Sequence, residues 1–207
     1  MITIRIGIPC YNGEISEETE KSIKEIKNYK DINFDIKIVS GTFCYRGRNI
    51  SSLSNPKEYN GMAKIKQILP YDYYLSLDAD IEFNIDNING LINRDKDIVG
   101  SAYLHRNGFL DKTVGGYFYK VDGIAPKDLC FDKNTTGIIE CDWVGGGFIL
   151  IKKHVLESMD YPYWRHELVE YEEMAELTSE DIGFALAAKK HNYKIYLDFD
   201  NKVKHIG

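Results

Sequence analysis

Cysteine is the first shortage. Only Cys10, Cys44, Cys130 and Cys141 occur in 207 residues, far apart and with no C-x-x-C pair. That spacing excludes a zinc ribbon or a thioredoxin-like redox motif and leaves reduced core thiols. Basic charge is short as well: 26 Lys and Arg stand against 32 Asp and Glu, for a formal net charge of -6. A chain with that balance is no general phosphate-backbone binder, so nucleic acid is not an expected partner. Any anionic ligand has to be met by local arginines, backbone N–H groups or a metal. Also missing is any apolar run near the roughly 18 residues of a membrane-spanning helix. Met1 leads straight into a strand pattern rather than a secretory leader, so the expected location is cytoplasmic. No repeat or low-complexity linker divides the chain, which is long enough for one sizeable core.

What is present is periodicity. Ile2, Ile4, Ile6 and Ile8 alternate until Pro9, which predicts a strand running into a loop. Residues 14–29 place Ile15, Thr19, Ile23 and Ile26 on one helical face, with Glu17 and Glu18 in the favourable first turn. "FDIKIVS" alternates as a second strand, a polar loop holds Arg46 and Arg48, and "NGMAKIKQIL" puts Met62, Ile65 and Leu69 on a second helix. "YDYYLSL" and "DIVGSAYL" give a third and a fourth strand. Strand and helix alternating over short connections predict an α/β sheet wound in the Rossmann manner. Beyond Gly100, glycine-rich turns between short strands, a Tyr/Glu-rich stretch, a helix from near Ser179 and two closing strands read as additions to the same sheet. The expectation is one domain over 1–207, not two.

The informative stretch is "YYLSLDADIEF", where Asp78 and Asp80 stand one residue apart at the end of an apolar strand. Unpaired charge there is costly, and ligands of open α/β sheets collect at the carboxyl ends of strands. A shared divalent cation removes the cost, and oxygen ligands favour Mg²⁺ or Mn²⁺. A solvated turn is the plainer reading of D-x-D alone. Three further segments point the same way. The first strand ends in Pro9, Cys10, Tyr11 and Asn12, whose backbone and aromatic face suit a nucleotide base. Arg46, Arg48 and Asn49 follow the second strand, where they suit a diphosphate. "TSEDIGFALAAKKHNYKIYLDFDNKVKHIG" opens a helix with Glu180 and Asp181 and carries His205 near its end. The same T-S-E-D is also a capping box, with Thr178 at the N-cap.

In order and spacing these motifs resemble the GT-A glycosyltransferases of the group near family 2. Members share a first-strand P-x-Y-N loop, an R-N element, an L-D-x-D strand end, a glycine-rich acceptor loop, an E-D helix start and a late H-x-G. The resemblance spans nearly the whole chain. It implies the GT-A fold, a mixed and mostly parallel central sheet flanked by helices with a small added β region in the second half. It further implies a nucleotide-binding half over 1–100 and an acceptor-binding half over 101–207. The minimal length also resembles compact virus-encoded glycosyltransferases that act on capsid glycans.

The function so implied is metal-dependent transfer of a sugar from a UDP- or GDP-sugar to a hydroxyl acceptor, with a glycan as the expected acceptor. By resemblance Asp80 ligates the metal and Asp78 holds the ribose or reaches the metal through water. His205 completes the protein ligands and tilts the choice to Mn²⁺, with Mg²⁺ as the alternative. Pro9, Cys10, Tyr11, Asn12, Arg46, Arg48, Asn49 and Ala79 belong to the nucleotide-sugar site. By resemblance Asp181 and Glu180 are the catalytic pair: in inverting relatives the aspartate of the E-D pair is the general base, and in retaining ones the acidic residue instead binds the sugar or acceptor, with both outcomes open for this sequence. Asp142, Trp143, Gly145, Gly146 and Gly147 form the expected acceptor loop, with His105 and Trp164 as further sugar contacts. A tight hairpin around a core Trp143 and a packed aromatic cluster around Trp164 are the alternatives. Two competing functions remain: a sugar-phosphate nucleotidyltransferase, disfavoured because 9–16 holds no basic residue, and a non-catalytic nucleotide- or carbohydrate-binding module.

Overall fold

The computed structural model describes residues 1–104, 112–120, 124–130, 135–171 and 174–206. Its first half runs β1 (Ile2–Cys10), α1 (Glu17–Ile26), β2 (Ile32–Ser40), α2 (Cys44–Ser52), β3 (Tyr73–Leu77), β4 (Ile81–Glu82), α3 (Ile85–Asn93) and β5 (Ile98–Ala102). The second half follows with β6 (Lys112–Lys120), β7 (Ile124–Cys130), β8 (Ile138–Cys141), β9 (Trp143–Val144), β10 (Phe148–Lys152) and α4 (Lys153–Ser158). It closes with β11 (Leu168–Tyr171), β12 (Met174–Leu177), α5 (Glu180–Lys190), β13 (Ile195–Lys202) and β14 (Lys204–His205).

A seven-stranded sheet in the order β2-β1-β3-β10-β5-β13-β8 organises the molecule. Strands β2, β1, β3, β5 and β13 share one direction, while β10 and β8 run against their neighbours. The carboxyl ends of the five co-directional strands therefore lie along one edge of the sheet, and the amino end of β10 meets them there. That edge collects residues 11–13, Asp78, Tyr103 and Gly147 without any further folding device. Not all the later strands join this sheet. Strands β6, β7 and β9 form a separate three-stranded sheet and β11 and β12 a hairpin.

The isoleucine alternation of β1 sorts the two faces. Ile4, Ile6 and Ile8 pack with Ile23 and Ile26 of α1 and with Ile88 and Leu91 of α3. The opposite face holds Arg5 and Gly7 and receives α2. Arg5 donates to the carbonyls of Ser51 (3.1 Å) and Leu53 (2.7 Å) at the end of that helix and pairs with Asp35. A Cβ on Gly7 would collide with the Tyr74 and Ser51 hydroxyls, and one on Gly47 of α2 with Pro9, so helix and strand pack closely here.

Two sequence expectations fail together. The polar loop around Arg46 and Arg48 is the helix α2, and the stretch 60–69 read as a helix is irregular. The reason lies in what each segment can bury. Helix α2 buries Arg48, Asn49, Ser51 and Ser52, a polar face that leaves no apolar period to detect. Of the expected face Met62 and Ile65 stand 80% and 63% exposed and only Leu69 is buried, so the period has too little surface to cover, and Gly61 at φ +103 stands at its start. The N-cap of α5 is also one residue later than expected. Ser179 accepts from the Ile182 N–H, whereas Thr178 Oγ1 accepts from Glu167 N–H.

Asn49 joins α2 to the segment before β11. It donates to the Tyr45 carbonyl (2.9 Å) and the Trp164 carbonyl (2.6 Å), and accepts from Tyr163 N–H (2.8 Å) and Trp164 N–H (3.1 Å). Asn49→Ala strands several buried backbone groups at once and is expected to lower stability by about 2–4 kcal/mol. Urea denaturation followed by tryptophan emission measures it, and a loss below about 0.5 kcal/mol, the scale of a surface substitution, contradicts the clamp.

Candidate functional site

Arg48 sits at the centre of the carboxyl edge, 2% exposed. Its Nε donates to Ser76 Oγ (3.1 Å). Nη2 donates to Asp78 (2.7 Å), and Nη1 to Glu180 (2.8 Å) and Asp181 (3.0 Å). One guanidinium thus ties α2, the end of β3 and the start of α5 into a single cluster. Arg48 was expected at a diphosphate; in this structure it donates to three protein carboxylates and the Ser76 hydroxyl. Three carboxylates outweigh one cation, so part of the negative charge is left for other means to offset. Burial pushes Asp181 from 3.8 up to about 6, with Arg48 pulling the other way and the Glu180 charge adding to the rise.

The glycine run explains how so much polarity is packed. A Cβ on Gly146 would lie 2.6 Å from both the Arg48 guanidinium carbon and Asp181 Oδ1. On Gly147 it would lie 2.5 Å from the Tyr103 hydroxyl and 2.9 Å from Asp78 Oδ2. Gly145 packs as closely on Val114 and Tyr103. The sequence reads these glycines as letting backbone approach a ligand; what Gly146 and Gly147 approach is the ion cluster. The Gly147 N–H donates to the Tyr103 hydroxyl (3.0 Å), and the Gly146 N–H bonds to Asp181.

The second acidic residue of D-x-D faces a different partner. Strand β14 pairs antiparallel with β4, setting His205 opposite Ile81, and Ile206 N–H donates to the Asp80 carbonyl (2.8 Å). His205 Nε2 consequently lies 3.3 Å from Asp80 Oδ1, while its Nδ1 lies 3.3 Å from the Leu104 carbonyl. Asp78 and Asp80 are not side by side, because the strand ends at Leu77 and the two diverge toward Arg48 and His205. Among the described residues no three His, Cys, Asp or Glu side chains converge as a ready-made metal cage. Asp80 and His205 form a two-residue oxygen and nitrogen donor pair, a chemistry that fits a divalent cation completed by ligands from outside the chain.

The other expected residues divide. Pro9 and Cys10 are buried at the end of β1, the Cys10 thiol donating to the Glu14 carbonyl (3.0 Å). Tyr11 and Asn12 are exposed at the same edge, and Ala79 accepts from Ser16 N–H through its carbonyl. Arg46 is exposed on α2. Four are turned to structural partners instead. Asn49 is the backbone clamp described above. Trp164, expected at an acceptor, is 1% exposed with its ring stacked on Phe184 at 4.9 Å. Asp142 pairs with Lys189 in the last turn of α5, about 12 Å of helix beyond Asp181. Trp143 is a core residue. His105 lies outside the described residues. Residues the sequence reading missed are Ser76 and Tyr103, which sit on the inner side of the cluster; the strand-end position of Tyr103 beside Ala102 was the available signal.

No family model matches this sequence, and no curated protein does. Solved structures do. A197 from STIV aligns with a TM-score of 0.56 at 19% identity, covering 100% of this chain and 95% of that one. GalNAc-T7, a glycosyltransferase solved with UDP, GalNAc and Mn²⁺, aligns with a TM-score of 0.58 at 10% identity over 100% of this chain and 44% of that one. The fold is GT-A. It is carried by the seven-stranded, mostly parallel sheet.

Removing the hub cation is expected to be costly. Arg48→Met leaves Asp78, Glu180 and Asp181 facing one another, at about 3–5 kcal/mol near neutral pH. Chemical denaturation that finds the variant as stable as the parent contradicts the hub. Asp181 supplies a separate signature. Its acidity is weaker in the folded chain, so the stability it confers is full below 3.8 and is lost as pH rises through about 6. The stability difference between the parent and Asp181→Asn should decline over that interval, and a difference flat in pH contradicts the assignment.

Proposed function

We propose that this protein is a metal-dependent glycosyltransferase that moves a sugar from a UDP- or GDP-sugar to a hydroxyl acceptor. The observation that carries the reading is the meeting, at one sheet edge, of the D-x-D strand end, the E-D helix start and the late histidine. These segments lie far apart in sequence and come together through Arg48 and the β14–β4 pairing. The fold likeness to GalNAc-T7, whose structure holds UDP, GalNAc and Mn²⁺, supports the choice of donor class. The near end-to-end match with A197 from STIV supports a compact form of the fold at this length.

In this reading Asp80 and His205 hold a divalent ion, Mn²⁺ in preference to Mg²⁺ because one donor is an imidazole. When bound, the ion offsets the charge that builds on the departing diphosphate. The chain's own residues do the rest. Tyr11 and Asn12, exposed beyond β1, line the position for the base, and Arg46 offers an exposed cation for the phosphates. Asp78, pinned by Arg48, keeps one fixed orientation at the donor side. Asp181 takes the proton of the acceptor hydroxyl. Burial weakens its acidity enough for a proton to be held and released near neutrality, while Arg48 and the Gly146 N–H fix the carboxylate in place. Glu180 shares Nη1 of Arg48 and so completes the positioning of its neighbour.

The test is hydrolysis and transfer with a panel of UDP- and GDP-sugars in the presence of Mn²⁺. Asp80→Ala, His205→Ala or EDTA should abolish both activities while the fold persists. Asp181→Asn should cut transfer by about 10²–10⁴-fold, and parental transfer should fall as pH drops below about 6, where the base becomes protonated. Full activity of Asp80→Ala, or in EDTA, overturns the proposal.

A further inference from the structure

A line of aromatic rings runs across the molecular surface from the end of β1 to the segment that precedes α5. Tyr11 and Phe43 are 6.4 Å apart between ring centroids, and Phe43 and Tyr45 are 6.1 Å apart and nearly parallel at 10°. Tyr45 meets His166 edge-on at 5.3 Å. Phe43 is 64% exposed and Tyr11 72%, while Tyr45 is half-buried and packs against the core. The line follows the first turn of α2, the helix whose Arg48 holds Glu180 and Asp181, so it ends beside the helix start that bears the base.

His166 adds a polar group of defined character. Its Nδ1 lies 2.7 Å from the Thr178 carbonyl, which accepts only, so Nδ1 carries the hydrogen of that bond. In the neutral ring Nε2 is then an acceptor, on an exposed side chain. Thr178 is itself locked, exchanging backbone and side-chain hydrogen bonds with Glu167 at the mouth of the β11–β12 hairpin. The imidazole is therefore held in one orientation by the same segment that leads into Glu180.

Flat apolar rings beside an oriented hydrogen-bond acceptor match a ligand with two kinds of surface on one small body. A pyranose has them: a C–H face that lies on an aromatic ring and hydroxyls that donate along its rim. A purely apolar chain would leave the fixed acceptor unused. We propose that Phe43, Tyr45 and His166 form the subsite that holds the acceptor as a carbohydrate, the rings under one sugar and His166 Nε2 taking a hydroxyl proton donor. This rests on the transferase reading for its link to Asp181, and it replaces the buried Trp164 as the aromatic contact for the acceptor.

The probes are a glycan array of mono- and oligosaccharides for the acceptor side and UDP or GDP with Mn²⁺, followed by calorimetry, for the donor side. The variants are Phe43→Ala, which removes the ring, and His166→Phe, which keeps a ring and removes the acceptor nitrogen. Melting temperature certifies that each variant is folded. The expected result is glycan capture by the parent, weakened at least about tenfold in each variant, with a much smaller change in nucleotide affinity. Three results overturn the subsite: no glycan retained by the parent, capture unchanged in both variants, or nucleotide affinity falling as steeply as glycan capture, which would assign the rings to the donor base. Glycan capture that survives alongside a complete absence of nucleotide binding would keep the subsite and sink the transferase reading instead.

Discussion

The buried Arg48 guanidinium is the interaction on which the rest of this structure depends. It reaches from its own helix to a strand end that brings a hydroxyl and a carboxylate and to a helix start that brings two carboxylates. Without a cation at that point three acidic side chains would face each other in a region largely removed from water. With it the cluster still carries more negative than positive charge. The protein offsets part of the imbalance at Asp181, which binds its proton more tightly than usual, and the neighbouring Asp80 faces the His205 ring. A site so arranged favours the approach of a divalent ion and, behind it, an anionic ligand.

Geometry at the sheet edge follows from strand direction alone. Five co-directional strands end together, and the reversed β10 begins where they end, which is why Gly145 to Gly147 arrive beside Asp78 and Asp181. The second reversed strand, β8, ends at the opposite edge, pairing Cys141 with the first residue of β13. Asp142 follows it there and finds Lys189. The same topology thus separates two parts of the short segment 142–147 that look equivalent in sequence.

Strands were legible because alternation is a local property, and so were the motif positions, since a charge at a strand end needs a reason wherever it stands. Helix α2 was not legible because it turns polar side chains inward; Gly7, a glycine within a strong strand pattern, was the one sign of close packing there, the space over it being filled by the Tyr74 and Ser51 hydroxyls. Helix α3 was missed for a related cause. Its sequence "IDNINGLIN" is poor in strong helix formers, and it is started by a capping box at Asn84 rather than by propensity. The roles of Arg48, Asn49 and Trp164 depended on which groups from distant segments would reach them, and no local pattern carries that information. Arg48 and Asn49 look like ligand-binding residues in sequence and act as ties between segments in the fold.

The most direct test of the central claim is diffraction at the manganese absorption edge from crystals grown with Mn²⁺ and UDP or GDP. The account predicts one anomalous peak within bonding distance of Asp80 and His205, with the diphosphate on its far side and Arg48 still bonded to Asp78, Glu180 and Asp181. A nucleotide bound with no peak there, or a diphosphate seated directly on Arg48 with the three carboxylates released, would contradict it.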